Sequence, residues 1–162
     1  MEKFKVIIVE DVPLELKGTE GILRNDIPEA EIIGTAASEQ AYWRLIKDHQ
    51  PDLVLLDLGL GGSTTVGVEI CRQTKHQFPA MKVLIFTGEV LNEKLWVDAL
   101  DAGADGISLK SGELLTHDDV MSVMGGKRLP ADTEAHRGPL QRERGQATGA
   151  PRGPRGLRDR RV

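Results

Sequence analysis

Leu53-Val54-Leu55-Leu56-Asp57-Leu58-Gly59-Leu60-Gly61-Gly62 is the stretch that decides the fold. Four consecutive apolar residues lead into one aspartate, and glycines follow directly. A short apolar run bounded by glycine is typical of a strand buried on both faces. Asp57 then stands at the carboxyl end of that strand, where open parallel α/β sheets bind their ligands. A carboxylate is costly to desolvate there unless the rest of the chain supplies a partner for it.

Apolar segments of strand type alternate with segments of helical periodicity over residues 1–126. The predicted strands cover residues 4–9, 31–36, 53–56, 81–86 and 106–109. The predicted helices run from Pro13 to about Asn25, from the N-cap Ser38 to Pro51, over 66–77, over 91–100, and from Ser111 or Gly112 to Met124. Strict alternation with short connections favours an α/β fold, a doubly wound parallel sheet of five strands with helices on both faces.

Charge divides the chain into two regions. Residues 1–126 carry 11 Lys and Arg against 21 Asp and Glu, whereas residues 127–162 carry 10 against 4. The second region also holds few large apolar residues, too few to offset the entropy of ordering the backbone. The sequence therefore predicts a folded domain over 1–126 and a basic tail over 127–162, either disordered or the remnant of an output domain.

Composition also excludes several classes of protein. The single cysteine, Cys71, permits no internal disulfide. No apolar run approaches the length of a membrane span, and the amino terminus lacks the profile of a signal peptide. We therefore expect a cytoplasmic protein without a membrane partner.

Polar residues follow four of the five predicted strands. Glu10-Asp11 follows the first strand, Asp57 the third, Thr87 the fourth and Lys110 the fifth. Because parallel strands present these ends at one edge of the sheet, the residues are expected to meet there. Three carboxylates in one cleft require a cation, and an all-oxygen ligand set favours Mg²⁺. We expect the ligands to be Glu10, Asp11, Asp57 and the backbone carbonyl of Gly59.

This set of residues suits phosphoryl transfer. Asp57 is a candidate nucleophile that would form an aspartyl phosphate. Mg²⁺, the ammonium of Lys110 and the hydroxyl of Thr87 would stabilise the charge on the transferred group.

Four motifs contain these residues: Val9-Glu10-Asp11, Leu55-Leu56-Asp57-Leu58, Ile85-Phe86-Thr87-Gly88 and Ala102-Gly103-Ala104-Asp105-Gly106-Ile107-Ser108-Leu109-Lys110. Together they resemble the receiver domain of a bacterial two-component response regulator. The resemblance implies a flavodoxin-like (CheY-like) fold with strand order 2-1-3-4-5. It implies Mg²⁺, for which Mn²⁺ can substitute, and a sensor histidine kinase that phosphorylates Asp57. It also implies a homodimer or target surface on the fourth helix, fifth strand and fifth helix. The last motif resembles the branch that carries a carboxyl-terminal LuxR-type helix-turn-helix, truncated or disrupted in this chain.

Several positions depart from the family pattern, among them Ser111, which follows Lys110 where proline is usual. Gly61 stands where proline is usual, and Gly67 comes ten residues after Asp57, later than the usual glycine. Residues 59–65 are therefore expected to form a longer, more mobile loop. Ile107 replaces the aromatic residue that usually rotates inward on phosphorylation, so an aromatic switch is expected to be absent or differently built.

Two alternative functions remain open at this point. Besides a phosphorylatable receiver that relays a kinase signal, the chain could be a DNA-binding transcriptional regulator with an incomplete output domain or a receiver-like interaction module that no longer uses phosphate. The net charge of the tail also suits weak, non-specific contact with nucleic acid.

Overall fold

A parallel sheet of five strands forms the centre of the protein. The computed structural model describes residues 2–88, 92–110 and 115–129. The strands are β1 (Phe4–Val9), β2 (Ala30–Ala36), β3 (Leu53–Leu56), β4 (Lys82–Thr87) and β5 (Gly106–Leu109). Their order is β2-β1-β3-β4-β5, and every neighbouring pair is parallel. The predicted fold class and strand order are confirmed.

In the described part of the chain, five helices cover the two faces of the sheet. They are α1 (Pro13–Asp26), α2 (Glu39–Asp48), α3 (Thr64–Gln77), α4 (Glu93–Asp101) and α5 (His117–Met124). Ser38 caps α2 as predicted, since its side chain accepts a hydrogen bond from the amide of Ala41. Within the described ranges no helix has both the length and the apolar character needed to cross a membrane.

Alternate residues of each strand enter two separate cores. Ile7 and Val9 belong to a core with side chains of α2, α3 and α4, while Val6 and Ile8 belong to a second core with α1 and α5. β3 is buried at all four positions. The continuous apolar run before Asp57 follows from this arrangement, because each strand residue must suit one of the two cores.

The connection after Asp57 is shorter than predicted. A 3₁₀ turn occupies Leu60–Gly62, and α3 begins at Thr64 instead of residue 66. Gly67 lies inside α3, and the backbone of Leu58 packs directly against it. A Cβ atom at Gly67 would lie 2.6 Å from the Cα of Leu58. Close packing of the helix on the chain after Asp57 thus requires glycine at this position.

The predicted start of the last helix was wrong. Residues 111–114, which include the candidate caps Ser111 and Gly112, lie outside the described residues, and α5 begins only at His117. Thr116 and Asp119 form a capping box in which each side chain accepts a hydrogen bond from the other residue's amide. This reciprocal pair satisfies two amides at the start of the helix.

Residues 127–129 lie against the edge of β5. The amide of Leu129 donates to the carbonyl of Asp105, and the carbonyl of Leu129 accepts from the amide of Ile107, both at 3.0 Å. Leu129 packs on the second core beside Gly106, where a Cβ atom would lie 3.1 Å from that of Leu129. The rest of the predicted tail, residues 130–162, lies outside the described residues.

Candidate functional site

Backbone hydrogen bonds bring the four strand ends to one edge of the sheet. The amide of Asp57 donates to the carbonyl of Val9 at 3.0 Å, directly before Glu10. The amide of Lys110 donates to the carbonyl of Thr87 at 2.8 Å. The pairing of the strands thus sets the relative positions of the side chains that follow them.

Asp57 is buried, with 6% of its surface exposed, and both carboxylate oxygens have partners. The hydroxyl of Thr87 donates to Oδ1 at 2.7 Å, and the amide of Gly59 donates to the same oxygen at 3.2 Å. Oδ2 faces the Nζ of Lys110 at 3.4 Å. Thr87 is the last residue of β4 and fully buried, so its hydroxyl is held by the sheet itself.

Lys110 contacts three carboxylates. Its Nζ atom lies 2.8 Å from Oε2 of Glu10, 3.3 Å from Oε2 of Glu15 and 3.4 Å from Oδ2 of Asp57. The Lys110 side chain is only 15% exposed. Its ammonium also lies 5.6 Å from the centre of the Phe86 ring, within the range of a cation–π contact.

Glu10, Asp11 and Asp57 offer carboxylate oxygens that all lie within 4.8 Å of one another. Asp11 is oriented by the amide of Gly61, which donates to its Oδ2 at 2.9 Å. Gly61 has a φ of 60°, a backbone conformation that favours glycine. Two of the three carboxylates are buried, and an oxygen-only set of this size fits Mg²⁺. The predicted contribution of the Gly59 carbonyl stays a prediction.

Burial and charge shift the protonation of the site. Burial raises the pKa of Glu10 to about 8, and the nearby Asp57 adds to the rise while Lys110 opposes it. Burial also disfavours the Asp57 carboxylate, but contacts with Glu10, Thr87 and Gly59 hold the pKa of Asp57 below its usual value. Burial works against the charge on Lys110, yet Glu10 and Asp57 raise the pKa of Lys110 above its ordinary value. These shifts favour a proton on Glu10 and a negative charge on Asp57.

The structure brings together the predicted side chains Glu10, Asp11, Asp57, Thr87 and Lys110. The sequence reasoning missed Glu15, which reaches Lys110 from the first turn of α1. Its position in the chain, two residues after Pro13, gave no signal, because the contact joins residues 95 positions apart. Ile107, which stands where the family usually has an aromatic residue, is 6% exposed and belongs to the first core.

The fold and the site together define a doubly wound α/β domain of receiver type. Residues 6–117 match the model of the response regulator receiver domain, and the chain belongs to this family. It is 32% identical over 111 residues to the transcriptional regulatory protein ComA of Bacillus subtilis, a match that covers 66% of this chain and 49% of ComA. It is 28% identical over 143 residues to the DNA-binding transcriptional activator DevR/DosR of Mycobacterium tuberculosis, covering 88% of this chain and 64% of that protein. The chain thus spans from about half to under two thirds of these two relatives.

Solved structures of response regulators also superimpose on the protein. A LuxR-family two-component response regulator from Aurantimonas sp. SI85-9A1 superimposes with a TM-score of 0.69 at 27% identity, covering 78% of this chain and 89% of that one. The receiver domain of the response regulator NarL from Mycobacterium tuberculosis superimposes with a TM-score of 0.68 at 26% identity, covering 78% and 100%. The protein thus contains the receiver domain of a transcriptional response regulator family.

Proposed function

We propose that Asp57 accepts a phosphoryl group from a sensor histidine kinase in a Mg²⁺-dependent reaction. The observation that carries the proposal is the arrangement around Asp57. One carboxylate oxygen accepts from Thr87 at 2.7 Å, the other faces Lys110 at 3.4 Å, and two further carboxylates lie beside it. This arrangement offers a nucleophile together with a cation, a hydroxyl donor and a metal-binding set.

An oxygen of Asp57 attacks the phosphorus of a phosphohistidine in this reaction. The O–P bond forms as the P–N bond breaks, and the imidazole leaves and takes up a proton. Asp57 suits the role because its lowered pKa keeps it ionised at neutral pH. Bound Mg²⁺, held by Glu10, Asp11 and Asp57, would neutralise charge on the phosphoryl oxygens. Lys110 and Thr87 supply two more contacts to those oxygens.

The signal would pass from the site to the surface formed by α4, β5 and α5. Thr87 ends β4 and Lys110 follows β5, so both phosphate contacts sit on neighbouring strands beside this surface. A phosphoryl group adds charge at that edge and would draw both side chains toward it. The surface would then form a homodimer or bind a target. With Ile107 already buried in the core, this movement proceeds without rotation of an aromatic ring.

Incubation with Mg²⁺ and acetyl phosphate tests the proposal. We expect intact mass spectrometry to find one added phosphoryl group that is labile to base and lost in Asp57→Asn. Asp48→Asn, a change of the same kind at the exposed end of α2, is the matched control and retains the modification. A chain that takes up no phosphoryl group would instead support a phosphate-independent interaction module.

A DNA-binding transcriptional regulator is the second candidate function. The alignment with DevR/DosR covers 88% of the chain, more than residues 1–126 alone can supply, so the similarity continues into the basic tail. DNA binding by the whole chain should then prefer one sequence over a random duplex and survive moderate salt. Binding that is equal for both duplexes and is lost with salt would identify only non-specific contact by the tail.

The predicted division into a receiver over 1–126 and a tail over 127–162 is also a proposal. The contacts of Leu129 with β5 support a receiver that includes residues 127–129.

A further inference from the structure

Glu15 differs from the other two carboxylates that surround Lys110. Glu10 and Asp57 are buried and belong to the pocket at the strand ends. Glu15 reaches the ammonium from α1, and its side chain is 42% exposed. It lies at the solvent-exposed opening of the site, close to Gly88, which directly follows Thr87. A Cβ atom built on Gly88 would be 3.7 Å from the Oε1 atom of Glu15.

Phosphorylation changes which anions are available to Lys110. When Asp57 is esterified, one of its oxygens is joined to phosphorus and the phosphoryl oxygens bring new negative charge. In the proposed reaction Glu10 is a ligand of the metal ion. Glu15 stands outside the cluster of Glu10, Asp11 and Asp57, and its 3.3 Å contact with the ammonium is as close as that of Asp57.

We propose that Glu15 is a positioning residue that holds Lys110 at the opening of the site and competes with the phosphoryl group for it. This inference rests on the proposed function. Competition of this kind weakens the productive binding of a phosphodonor and shortens the life of the aspartyl phosphate. It leaves the nucleophile Asp57 and the hydroxyl donor Thr87 in place.

Glu15→Gln is the direct test, with Glu20→Gln as the matched control. Glu20 lies on the same helix and pairs with Arg24, so it tests the loss of one negative charge without the contact to Lys110. With acetyl phosphate as donor, we expect Glu15→Gln to lower the half-saturating concentration about two- to fivefold, the worth of a partly exposed ion pair, with little change in the maximal rate. The half-life of the phosphorylated protein should increase by a similar factor. Equal behaviour of the two variants would overturn the inference.

Glu15→Asp separates contact from charge. Aspartate keeps the negative charge but is one methylene shorter and retreats from Lys110. If Glu15 acts through contact, Glu15→Asp resembles Glu15→Gln; if it only repels the donor, Glu15→Asp resembles the wild type, which would contradict the inference.

Thermal unfolding without Mg²⁺ gives a readout that needs no phosphorylation. Glu15→Gln should lower the melting temperature more when Lys110 is present than in a Lys110→Met background. We expect the two decreases to differ by about 1–3 °C. Equal decreases in both backgrounds would show that Glu15 does not interact with Lys110 and would overturn the inference. A wild type that takes up no phosphoryl group would overturn the proposed function and this inference with it, whereas a phosphorylated wild type with an inert Glu15→Gln overturns the inference alone.

Discussion

Lys110→Met is the substitution that most directly tests how the site is held together. The ammonium of Lys110 lies 2.8 Å from Glu10 and 3.4 Å from Asp57, and both carboxylates are buried. Removing one partner of a buried ion pair typically costs about 3–5 kcal/mol, because the other charge is left uncompensated. Methionine keeps most of the apolar stem, so the effect comes mainly from the charge.

Protonation of Glu10 reduces this cost. The pKa of Glu10 is already raised to about 8, and loss of the ammonium, which opposes that rise, would favour the protonated carboxyl further. We therefore expect Lys110→Met to lower the free energy of unfolding at pH 7 by about 3 kcal/mol, the lower end of the range. Urea unfolding in metal-free buffer measures this loss. Lys94→Met is the control, since Lys94 pairs with Asp98 at an exposed site and should lose at most about 1 kcal/mol.

Mg²⁺ should restore more stability to Lys110→Met than it adds to the wild type. The ammonium and the metal ion attract the same carboxylates, so the variant binds the ion more tightly. A tenfold gain in affinity adds about 1.4 kcal/mol of stability at saturating Mg²⁺. The reasoning is refuted if Lys110→Met loses less than about 1 kcal/mol without metal and gains no more from Mg²⁺ than the wild type does.

Three further predictions concern the packing around the site. Leu129→Ala should lower the free energy of unfolding by about 1–2 kcal/mol in a urea titration, less than for a fully buried leucine, whereas Leu14→Ala at an exposed position should have little effect. Gly67→Ala should destabilise by about 1–3 kcal/mol and slow phosphorylation, because its Cβ atom would displace Leu58 next to Asp57; Gly18→Ala, with open space around it, is the control. The hydrogen bond to Glu29 raises the pKa of His117 above 6.5. The contribution of His117 to stability is therefore full below pH 6.5 and is lost as the pH rises through the pKa of His117 in the folded protein. NMR titration of the wild type measures this pKa, and urea unfolding of His117→Ala across the same pH range measures the contribution to stability.

The sequence predicted the sheet well because strand burial leaves a strong pattern. Residues of β1 and β3 must be apolar at nearly every position to suit the two cores, and their runs end where polar residues begin. The same logic placed Asp57, Thr87 and Lys110 at one edge, since parallel strands align their ends. β5 was predicted with its observed bounds, Gly106–Leu109.

The starts of α3 and α5 were predicted less well than those of α1 and α2, because caps compete with apolar periodicity. α3 begins at Thr64, before the apolar residues that suggested its start. α5 begins at the capping box of Thr116 and Asp119, a short polar signal that follows the predicted caps Ser111 and Gly112 along the chain. The same polar stretch carries His117, whose Nε2 contacts the buried carboxylate of Glu29 at 2.9 Å. Such contacts depend on the packing of α5 against the chain before β2 and cannot be inferred from local sequence.

The polar residues at the strand ends stabilise one another only as a group. Glu10 and Asp57 are buried deeply enough that each carboxylate alone would be unfavourable, and Lys110 supplies one positive charge between them. The group therefore carries an excess of negative charge that a proton on Glu10 or a divalent cation must offset. Because a proton and a cation would compete for the same oxygens, we expect Mg²⁺ bound in this site to displace the proton from Glu10. The raised pKa of Glu10 and the close approach of three carboxylates thus have one cause, the gathering of negative charge at the buried ends of β1 and β3.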